Sequence, residues 1–153
     1  MRRRLLIALL LLPLPSLAET LSGSARVIDG DTLRIADARL RLRAMDAFET
    51  RQTCERDGRA YACGREATRA MVQLTRERDV ECSGSKRDRY RRLLVRCRAD
   101  GVDLGREMVR QGWAVAEYGR DYRSDEHAAR AAQAGAWAGT FERPRLWRRK
   151  RKG

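Results

Sequence analysis

Apolar and polar residues alternate in three segments near the start of the chain, over residues 22–28, 32–35 and 39–45. Alternation of this kind is typical of strands with one buried face. The connections are polar, with Asp29-Gly30 in the first and residues 36–38 in the second. Asp-Gly is the strongest short signal for a two-residue type I′ turn. The pattern predicts a three-stranded meander, which needs a covering layer to be stable.

The spacing of apolar residues then becomes helical. Residues 64–76 place Ala67, Ala70, Met71 and Leu74 along one side, which predicts an amphipathic helix with a buried stripe. The elements expected after it are strands over 79–82 and 90–98, a helix capped by Asp103 and closed by Gly112, extended residues 113–117, and an Ala-rich helix from Ser124 to Gly135. Five short strands and three helices predict an α+β domain, mainly β, built on a closed barrel.

The N-terminus differs in kind from the rest. M-R-R-R precedes a short leucine-rich run and then P-L-P-S-L-A, in which Ser16 and Ala18 are small. This is the order of regions in a signal peptide, and the apolar run is too short to cross a bilayer. We expect residues 1–18 to be cleaved on export and no transmembrane span to remain. One domain over residues 19–147 and a basic tail, 148–153, would follow.

Positive charge dominates the composition. The chain has 34 Lys and Arg against 21 Asp and Glu, for a net charge of +13. Loss of residues 1–18 would remove three arginines and leave +10. An exported domain with this excess should be attracted to nucleic acid or to anionic membranes. A membrane-surface or cell-envelope protein that uses the final R-R-K-R-K run, which we expect to be disordered, is therefore one alternative.

Four cysteines, an even number in an exported chain, favour two disulfides over a metal cluster. Three pairings are possible. A short polar loop separates Cys54 from Cys63, and Cys82 and Cys97 belong to strand-like segments, so we favour Cys54–Cys63 and Cys82–Cys97. Zinc is not expected, because the spacing is unsuitable and the single histidine, His127, is predicted on a helix surface.

Three carboxylates form a candidate site. Asp31 is unusual, because the first residue of a returning strand is a poor place for an aspartate. Asp46 and Glu49 lie just past the third strand, where hairpin pairing would bring them beside Asp31. Converging carboxylates repel one another unless a cation lies between them, and their hard oxygens suit calcium or magnesium. On spacing alone, ordinary surface carboxylates explain these residues equally well.

Nearby arginines favour a functional site over ordinary surface carboxylates. Arg41 lies on the third strand, and Arg89, Arg91 and Arg92 lie where the last strand is predicted to begin. Guanidinium groups beside a metal–carboxylate centre can bind a phosphodiester and stabilise the charge that grows on its oxygens. A carboxylate can meanwhile take a proton from water. The combination indicates phosphodiester hydrolysis.

Four stretches resemble the staphylococcal nuclease (thermonuclease) family in order and spacing: V-I-D-G-D-T, R-L-R-A-M-D-A-F-E-T, D-R-Y-R-R-L-L and A-D-G-V-D-L-G-R-E-M-V-R-Q-G-W-A. The resemblance extends from about Ala25 to Trp147. It implies a five-stranded OB-fold barrel with three helices. It also implies a calcium-dependent, sugar-nonspecific endonuclease that cleaves DNA and RNA and leaves 3′-phosphates. We expect a periplasmic or secreted monomer without an obligate protein partner.

The resemblance also implies residue roles. The ligands of Ca²⁺ would be Asp31, Asp46 and the backbone carbonyl of Ala47. The catalytic residues would be Glu49, as general base or as the group that orients water, and Arg41 and Arg92, which would bind the phosphate.

Substrate binding would involve Arg89, Tyr90 and Tyr118. Two positions depart from the family pattern. Phe48 replaces a usual proline, which would loosen the loop that carries Glu49. Arg91 replaces a usual glycine, which would crowd the site or add a phosphate contact. A non-catalytic OB-fold nucleic-acid-binding protein is the other alternative, although it would not need all the catalytic groups.

Overall fold

Five strands close into a barrel in the computed structural model, which describes residues 18–151. The strands are β1 (Glu19–Val27), β2 (Thr32–Ile35), β3 (Ala38–Leu42), β4 (Met45–Ala47), β5 (Cys54–Arg56), β6 (Arg59–Tyr61), β7 (Asp79–Arg87), β8 (Leu93–Ala99), β9 (Val102–Asp103) and β10 (Ala114–Ala116). The helices are α1 (Cys63–Thr75), α2 (Leu104–Arg110), α3 (Arg123–Ala131) and α4 (Pro144–Lys150), with a 3-10 turn at Gly135–Ala138. Neighbours in the order β3-β2-β1-β7-β8 are antiparallel, and the parallel pairing of β3 with β8 closes the barrel.

The predicted fold class, a mainly β α+β domain on a five-stranded OB-like barrel, is confirmed. Within residues 18–151 there are four α-helices rather than the predicted three. The additional helix, α4, begins with Pro144 in its first turn and includes residues 148–150. The expectation that the basic run is disordered is therefore wrong for these three residues.

The connection between β1 and β2 is not the predicted type I′ turn. That turn needs positive φ at both central residues, and neither Asp29 nor Gly30 has one. The Asp29 side chain instead accepts a hydrogen bond from the backbone nitrogen of Asp31, at 3.0 Å. Gly30 is needed for close packing, because a Cβ there would lie 2.7 Å from the Cβ of Ala47. The turn therefore packs directly on the end of β4.

The β7–β8 hairpin also differs from the pattern. β7 continues to Arg87 instead of ending at Cys82, with a shift in register between Ser83 and Lys86. Gly84 permits this, since a Cβ there would lie 2.1 Å from the carbonyl oxygen of Leu94. The polar residues that suggested a turn are instead on an exposed part of the strand, and the turn moves to residues 88–92.

The predicted N-cap residue is correct for α2 and wrong for α3. Asp103 caps α2, and its side chain accepts from the backbone nitrogen of Arg106 at 3.1 Å. Ser124 does not cap α3, which begins one residue earlier at Arg123 and has no side-chain cap. His127 is exposed on α3, as expected.

Both predicted disulfides are present. Cys54–Cys63 joins β5 to the first residue of α1, and Cys82–Cys97 joins directly paired positions of β7 and β8. The predicted signal peptide, apart from Ala18, lies outside the described residues. Across residues 18–151, every helix is too short or too polar to span a bilayer.

Candidate active site

A wide cleft of about 1260 Å³ lies over one end of the barrel. It is lined by the β1–β2 turn, by β3, by the segment after β4, by the β7–β8 turn and by a side chain of α4. Eight basic and five acidic side chains face it. The local excess of positive charge would attract a polyanion.

One guanidinium group bridges two buried carboxylates in this cleft. Arg41 on β3 donates Nη1 to Oδ1 of Asp31 at 2.7 Å and Nη2 to Oδ1 of Asp46 at 2.9 Å. Asp31 is 4% exposed and Asp46 is fully buried. Although burial opposes its charge, the two carboxylates hold the pKa of Arg41 above its ordinary value. The β1–β2 turn, β3 and β4 thus meet at one charged centre.

Burial raises the pKa of Asp31 to about 7. Arg41 acts in the opposite direction, whereas the neighbouring charges of Asp29 and Asp46 add to the increase. Asp31 also accepts a hydrogen bond from the hydroxyl of Thr32 at 2.8 Å. A carboxyl group with this pKa would gain from a cation placed beside it.

Two hydrogen bonds between Glu49 and Gln52 hold the loop that carries Glu49. Gln52 accepts from the backbone nitrogen of Glu49 at 3.2 Å, and the Gln52 backbone nitrogen donates to the Glu49 carbonyl at 2.7 Å. Helix α1 starts against this loop, because a Cβ on Gly64 would lie 1.7 Å from the Glu49 carbonyl oxygen. Phe48 is 1% exposed and packs edge-on against Phe141. Phe48 therefore anchors the loop by packing, and its effect on the rigidity of the loop stays a prediction.

Helix α4 adds a residue that the sequence analysis did not assign. Arg148 donates Nη1 to Oδ1 of Asp46 at 2.9 Å and to Oε1 of Glu49 at 2.6 Å, and donates Nη2 to Oδ2 of Asp46 at 2.8 Å. Its Nη2 also lies 3.3 Å from the hydroxyl of Tyr118. Burial opposes the charge, but Asp46 and Glu49 raise the pKa of Arg148 well above its ordinary value.

The second predicted phosphate ligand, Arg92, lies just before β8. Its Nε donates to Oδ2 of Asp88 at 2.8 Å, and its Nη1 lies 3.4 Å from the hydroxyl of Thr32. Because that hydroxyl donates to Asp31, a chain of hydrogen bonds links Arg92 to the Arg41 centre. Hydrogen bonds with Arg92 and Tyr90 lower the pKa of Asp88, against the effect of burial.

The three residues predicted to bind substrate line the same cleft: Arg89, Tyr90 and Tyr118. Tyr90 and Tyr118 are 59% and 61% exposed as whole residues, and Arg89 lies over the Tyr90 ring with its Cζ 4.8 Å from the centroid. Arg91, by contrast, is exposed outside the cleft lining, with φ of +64°. It neither crowds the site nor adds to its lining.

The structure thus brings together all the predicted catalytic, metal-binding and substrate-binding residues: Asp31, Arg41, Asp46, Ala47, Glu49, Arg89, Tyr90, Arg92, Tyr118. It adds Thr32, Asp88 and Arg148 to them. Asp88 could have been found in the D-R-Y-R-R motif. Arg148 had only a weak signal, a proline four residues before it, which is typical of a helix start.

The oxygen atoms in the site are chemically suited to calcium, which prefers carboxylates and carbonyls. No set of three or more His, Cys, Asp or Glu side chains within residues 18–151 has the arrangement of a metal site. Guanidinium groups separate the acids instead: Arg41 lies between Asp31 and Asp46, and Arg148 between Asp46 and Glu49. The site therefore contains oxygen donors of the kind that calcium uses, and in this structure the carboxylates among them pair with Arg41 and Arg148.

The chain is similar to several known proteins. The chain is 40% identical to the succinoglycan biosynthesis protein ExoI of Rhizobium meliloti, over 78% of this chain and 66% of that protein. It is 30% identical to an uncharacterized endonuclease of Escherichia coli O157:H7, over 99% of this chain and all of that protein. An uncharacterized endonuclease of Haemophilus influenzae is also 30% identical, over 83% of this chain and 72% of its own. The family profile described as staphylococcal nuclease homologue matches residues 39–139, and the chain belongs to that family.

Proposed function

We propose that this protein is a calcium-dependent, sugar-nonspecific endonuclease that hydrolyses phosphodiester bonds in DNA and RNA and leaves 3′-phosphates. Nuclease chemistry as such follows from the family. The observation that carries the proposal is the single hydrogen-bonded chain that connects Arg92, Thr32, Asp31, Arg41 and Asp46 in one cleft. A phosphate-binding group and carboxylates are thereby held at fixed positions, as hydrolysis at a phosphorus atom requires.

In the proposed reaction, Arg41 and Arg92 bind the phosphate and stabilise the charge that grows on its oxygens. Glu49 accepts a proton from the attacking water or orients it. The carboxylate of Glu49 is one-third exposed, so water can reach it. Its backbone contacts with Gln52 keep it at the edge of the cleft.

The metal ion would be held by Asp31, Asp46 and the carbonyl of Ala47. When bound, calcium would supply positive charge to the phosphate oxygens as a Lewis acid. The raised pKa of Asp31 supports a cation at this position, since a nearby positive charge favours the ionised carboxylate.

Lack of selectivity between DNA and RNA is expected because the contacts are directed at the backbone. Tyr90 and Tyr118 are exposed residues of the cleft, and stacking on an aromatic ring tolerates any base. Specificity for sequence is therefore not expected.

The test is incubation of purified protein, residues 19–153, with supercoiled plasmid and with RNA, in calcium and then in excess chelator. We expect cleavage of both substrates in calcium, none in chelator, and 3′-phosphate ends. Glu49→Gln and Arg92→Ala should each lower kcat by roughly 100-fold or more. Matched controls are Glu55→Gln and Arg98→Ala, because both residues are exposed and outside the cleft.

A non-catalytic binding protein would give a different result. It would retard DNA in a gel in the presence of calcium without cleaving it, and Glu49→Gln would change nothing. Cleavage that persists in chelator would contradict the calcium requirement alone.

We further propose that the protein acts outside the cytoplasm, in the periplasm or as a secreted monomer. Two disulfides support this, because disulfides persist in oxidising compartments. Fractionation of cells that express the full chain should place the protein, shortened by residues 1–18, in the periplasm or medium. Recovery of the uncleaved chain in the cytoplasm would contradict it.

A further inference from the structure

We propose that Arg148 is an internal cation that competes with a divalent metal ion for Asp46 and that also neutralises Glu49. Metal binding would then require the Arg148 guanidinium to leave these carboxylates. This inference rests on the proposed calcium-dependent function. It concerns a residue on the C-terminal helix, far in sequence from the other site residues.

The contacts of Arg148 are those of a counter-ion that occupies a shared position. Both carboxylate oxygens of Asp46 accept from Arg148, at 2.9 and 2.8 Å, and Glu49 accepts from it at 2.6 Å. Oδ1 of Asp46 additionally accepts from Arg41. Each oxygen of Asp46 is thus already directed at a guanidinium group. A metal ion bound to an oxygen of Asp46 would lie beside these guanidinium groups, and repulsion between the positive charges disfavours keeping Arg148 in place.

Because Asp46 is buried, it needs a positively charged partner when no metal ion is bound. The Asp46 side chain is fully buried, and a buried carboxylate without a partner is strongly destabilising. Arg41 alone would have to serve both Asp31 and Asp46. In the absence of metal, Arg148 supplies the second positive charge that this group of acids requires.

Helix α4 is held in place by contacts that do not involve Arg148. Arg143, just before the helix, donates to the carbonyl of Ala116 at 3.1 Å and to Glu126 at 3.2 Å. The side chain of Gln52 donates to the carbonyl of Glu142 at 2.6 Å. Because the backbone of this segment is fixed independently, Arg148 can change its contacts while the helix stays docked.

Loss of the positive charge should strengthen binding of a divalent cation. Removing one unit charge beside Asp46 leaves the site more negative and its oxygens free to coordinate. At the separation of a salt bridge, a unit charge near a protein surface changes an ion's affinity by roughly ten-fold or more. We therefore expect Arg148→Gln to bind calcium at least about ten-fold more tightly than the wild type.

The experiment measures calcium affinity directly, by isothermal titration of chelator-treated protein without nucleic acid. The variants are Arg148→Gln, Arg148→Lys and, as a matched control for net charge, Arg145→Gln on the same helix. Arg145 is exposed, and its side chain pairs with Glu117 at 3.4 Å. Arg148→Lys keeps the charge and should stay close to wild type, and Arg145→Gln should not differ from it.

Thermal melting gives a second readout. Without metal, Arg148→Gln should melt at a lower temperature than the wild type, because Asp46 loses a partner. Calcium should raise its melting temperature by more than it raises that of the wild type. A residue with a purely structural role would lower the melting temperature without increasing calcium affinity.

The outcomes separate this inference from the proposed function. If the wild type binds calcium and Arg148→Gln binds it equally or more weakly, competition by Arg148 is refuted while the calcium site stands. If neither protein binds calcium, the metal requirement and this inference fall together. Tighter calcium binding by Arg148→Gln, without a change in Arg148→Lys or Arg145→Gln, supports the metal requirement and the competition by Arg148.

Discussion

The carboxylate of Asp88 accepts hydrogen bonds from both the side chain and the backbone of Arg92. Oδ2 of Asp88 accepts from Nε of Arg92 at 2.8 Å, and Oδ1 accepts from its backbone nitrogen at 3.0 Å. The same Oδ1 accepts from the backbone nitrogen of Tyr90 at 2.9 Å. One carboxylate therefore shapes the turn and fixes the direction of the proposed phosphate ligand.

Asp88→Ala should lower kcat by roughly 10-fold to 100-fold, because Arg92 keeps its charge but loses its fixed orientation. The loss should be smaller than that for Arg92→Ala. Asp100→Ala is the control, since Asp100 is an exposed turn residue that pairs with Arg78 away from the cleft. Wild-type kcat in Asp88→Ala would show that the orientation of Arg92 does not depend on Asp88.

Phe48 connects the active-site loop to the C-terminal segment. Its ring centroid lies 4.9 Å from that of Phe141, which in turn lies 4.6 Å from that of Trp137. Phe48→Ala should lower the free energy of unfolding in urea by about 3–5 kcal/mol, the usual cost of removing a buried phenyl ring. Val72→Ala, at a half-exposed position of α1, should cost about 1 kcal/mol or less. Equal costs would contradict the role of Phe48 in the core.

The two disulfides should differ in their effect on catalysis. Each closes a short loop, of 9 or 15 residues, and removing either by paired Cys→Ser changes should cost about 3 kcal/mol. Cys54–Cys63 joins the segment after Glu49 to α1, so its loss should also lower kcat. Cys82–Cys97 lies between hydrogen-bonded strands, and kcat should survive its loss at temperatures where the protein stays folded. The reverse order of effects on kcat would contradict this.

Because of Tyr122, we expect the folded protein to lose stability at alkaline pH. Its hydroxyl donates to Oδ1 of Asp103 at 3.0 Å, and burial, together with Asp103, raises the pKa of Tyr122 to about 12. The unfolded chain, with an ordinary tyrosine pKa of about 10, loses this proton first. The contribution to stability is therefore complete below about pH 10 and is lost as pH rises through about 12.

Urea unfolding between pH 9 and pH 12 checks this prediction. The wild type should lose stability with a steeper slope than Tyr122→Phe, even though the variant is less stable at pH 9. Tyr61 and Tyr118 are present in both proteins, so their contribution to the slope cancels. Identical slopes would show that the Tyr122 proton is not retained by the fold.

Arg91 has a left-handed backbone, with φ of +64°, where the family usually has glycine. Arg91→Gly should raise the free energy of unfolding by up to about 1 kcal/mol, because glycine removes the strain and the larger entropy of its unfolded chain offsets part of the gain. Since Arg91 is outside the cleft, kcat should not change. Destabilisation by Arg91→Gly would show that its contacts outweigh the strain.

Much of the barrel and the site could be predicted because their signals are local. Alternation identified β1, β2 and β3, and helical spacing identified α1. Arg41 pairs with Thr32 across the β2–β3 hairpin, which brings it beside Asp31, and Asp46 and Glu49 follow within eight residues. The turn chemistry was less predictable: Asp29-Gly30 has the sequence of a type I′ turn, yet Gly30 serves the packing of the turn against Ala47.

Arg148 shows what the sequence could not provide. It is separated from Asp46 by 102 residues and belongs to a run of basic residues that resembles a solvated tail. Its position depends on Phe141 packing against Phe48 and on Arg143 reaching Glu126. Neither contact leaves a pattern in the local sequence.

The sequence by itself determined the barrel strands, the disulfide pairs and the acids and arginines of the central site. Each depends on residue types at short spacing, where chain geometry allows few arrangements. The tertiary structure alone decided that the C-terminal helix returns to the site and that Arg148 neutralises Asp46 and Glu49. That outcome depends on a buried carboxylate finding its charge partner through packing of distant segments, which only the complete fold specifies.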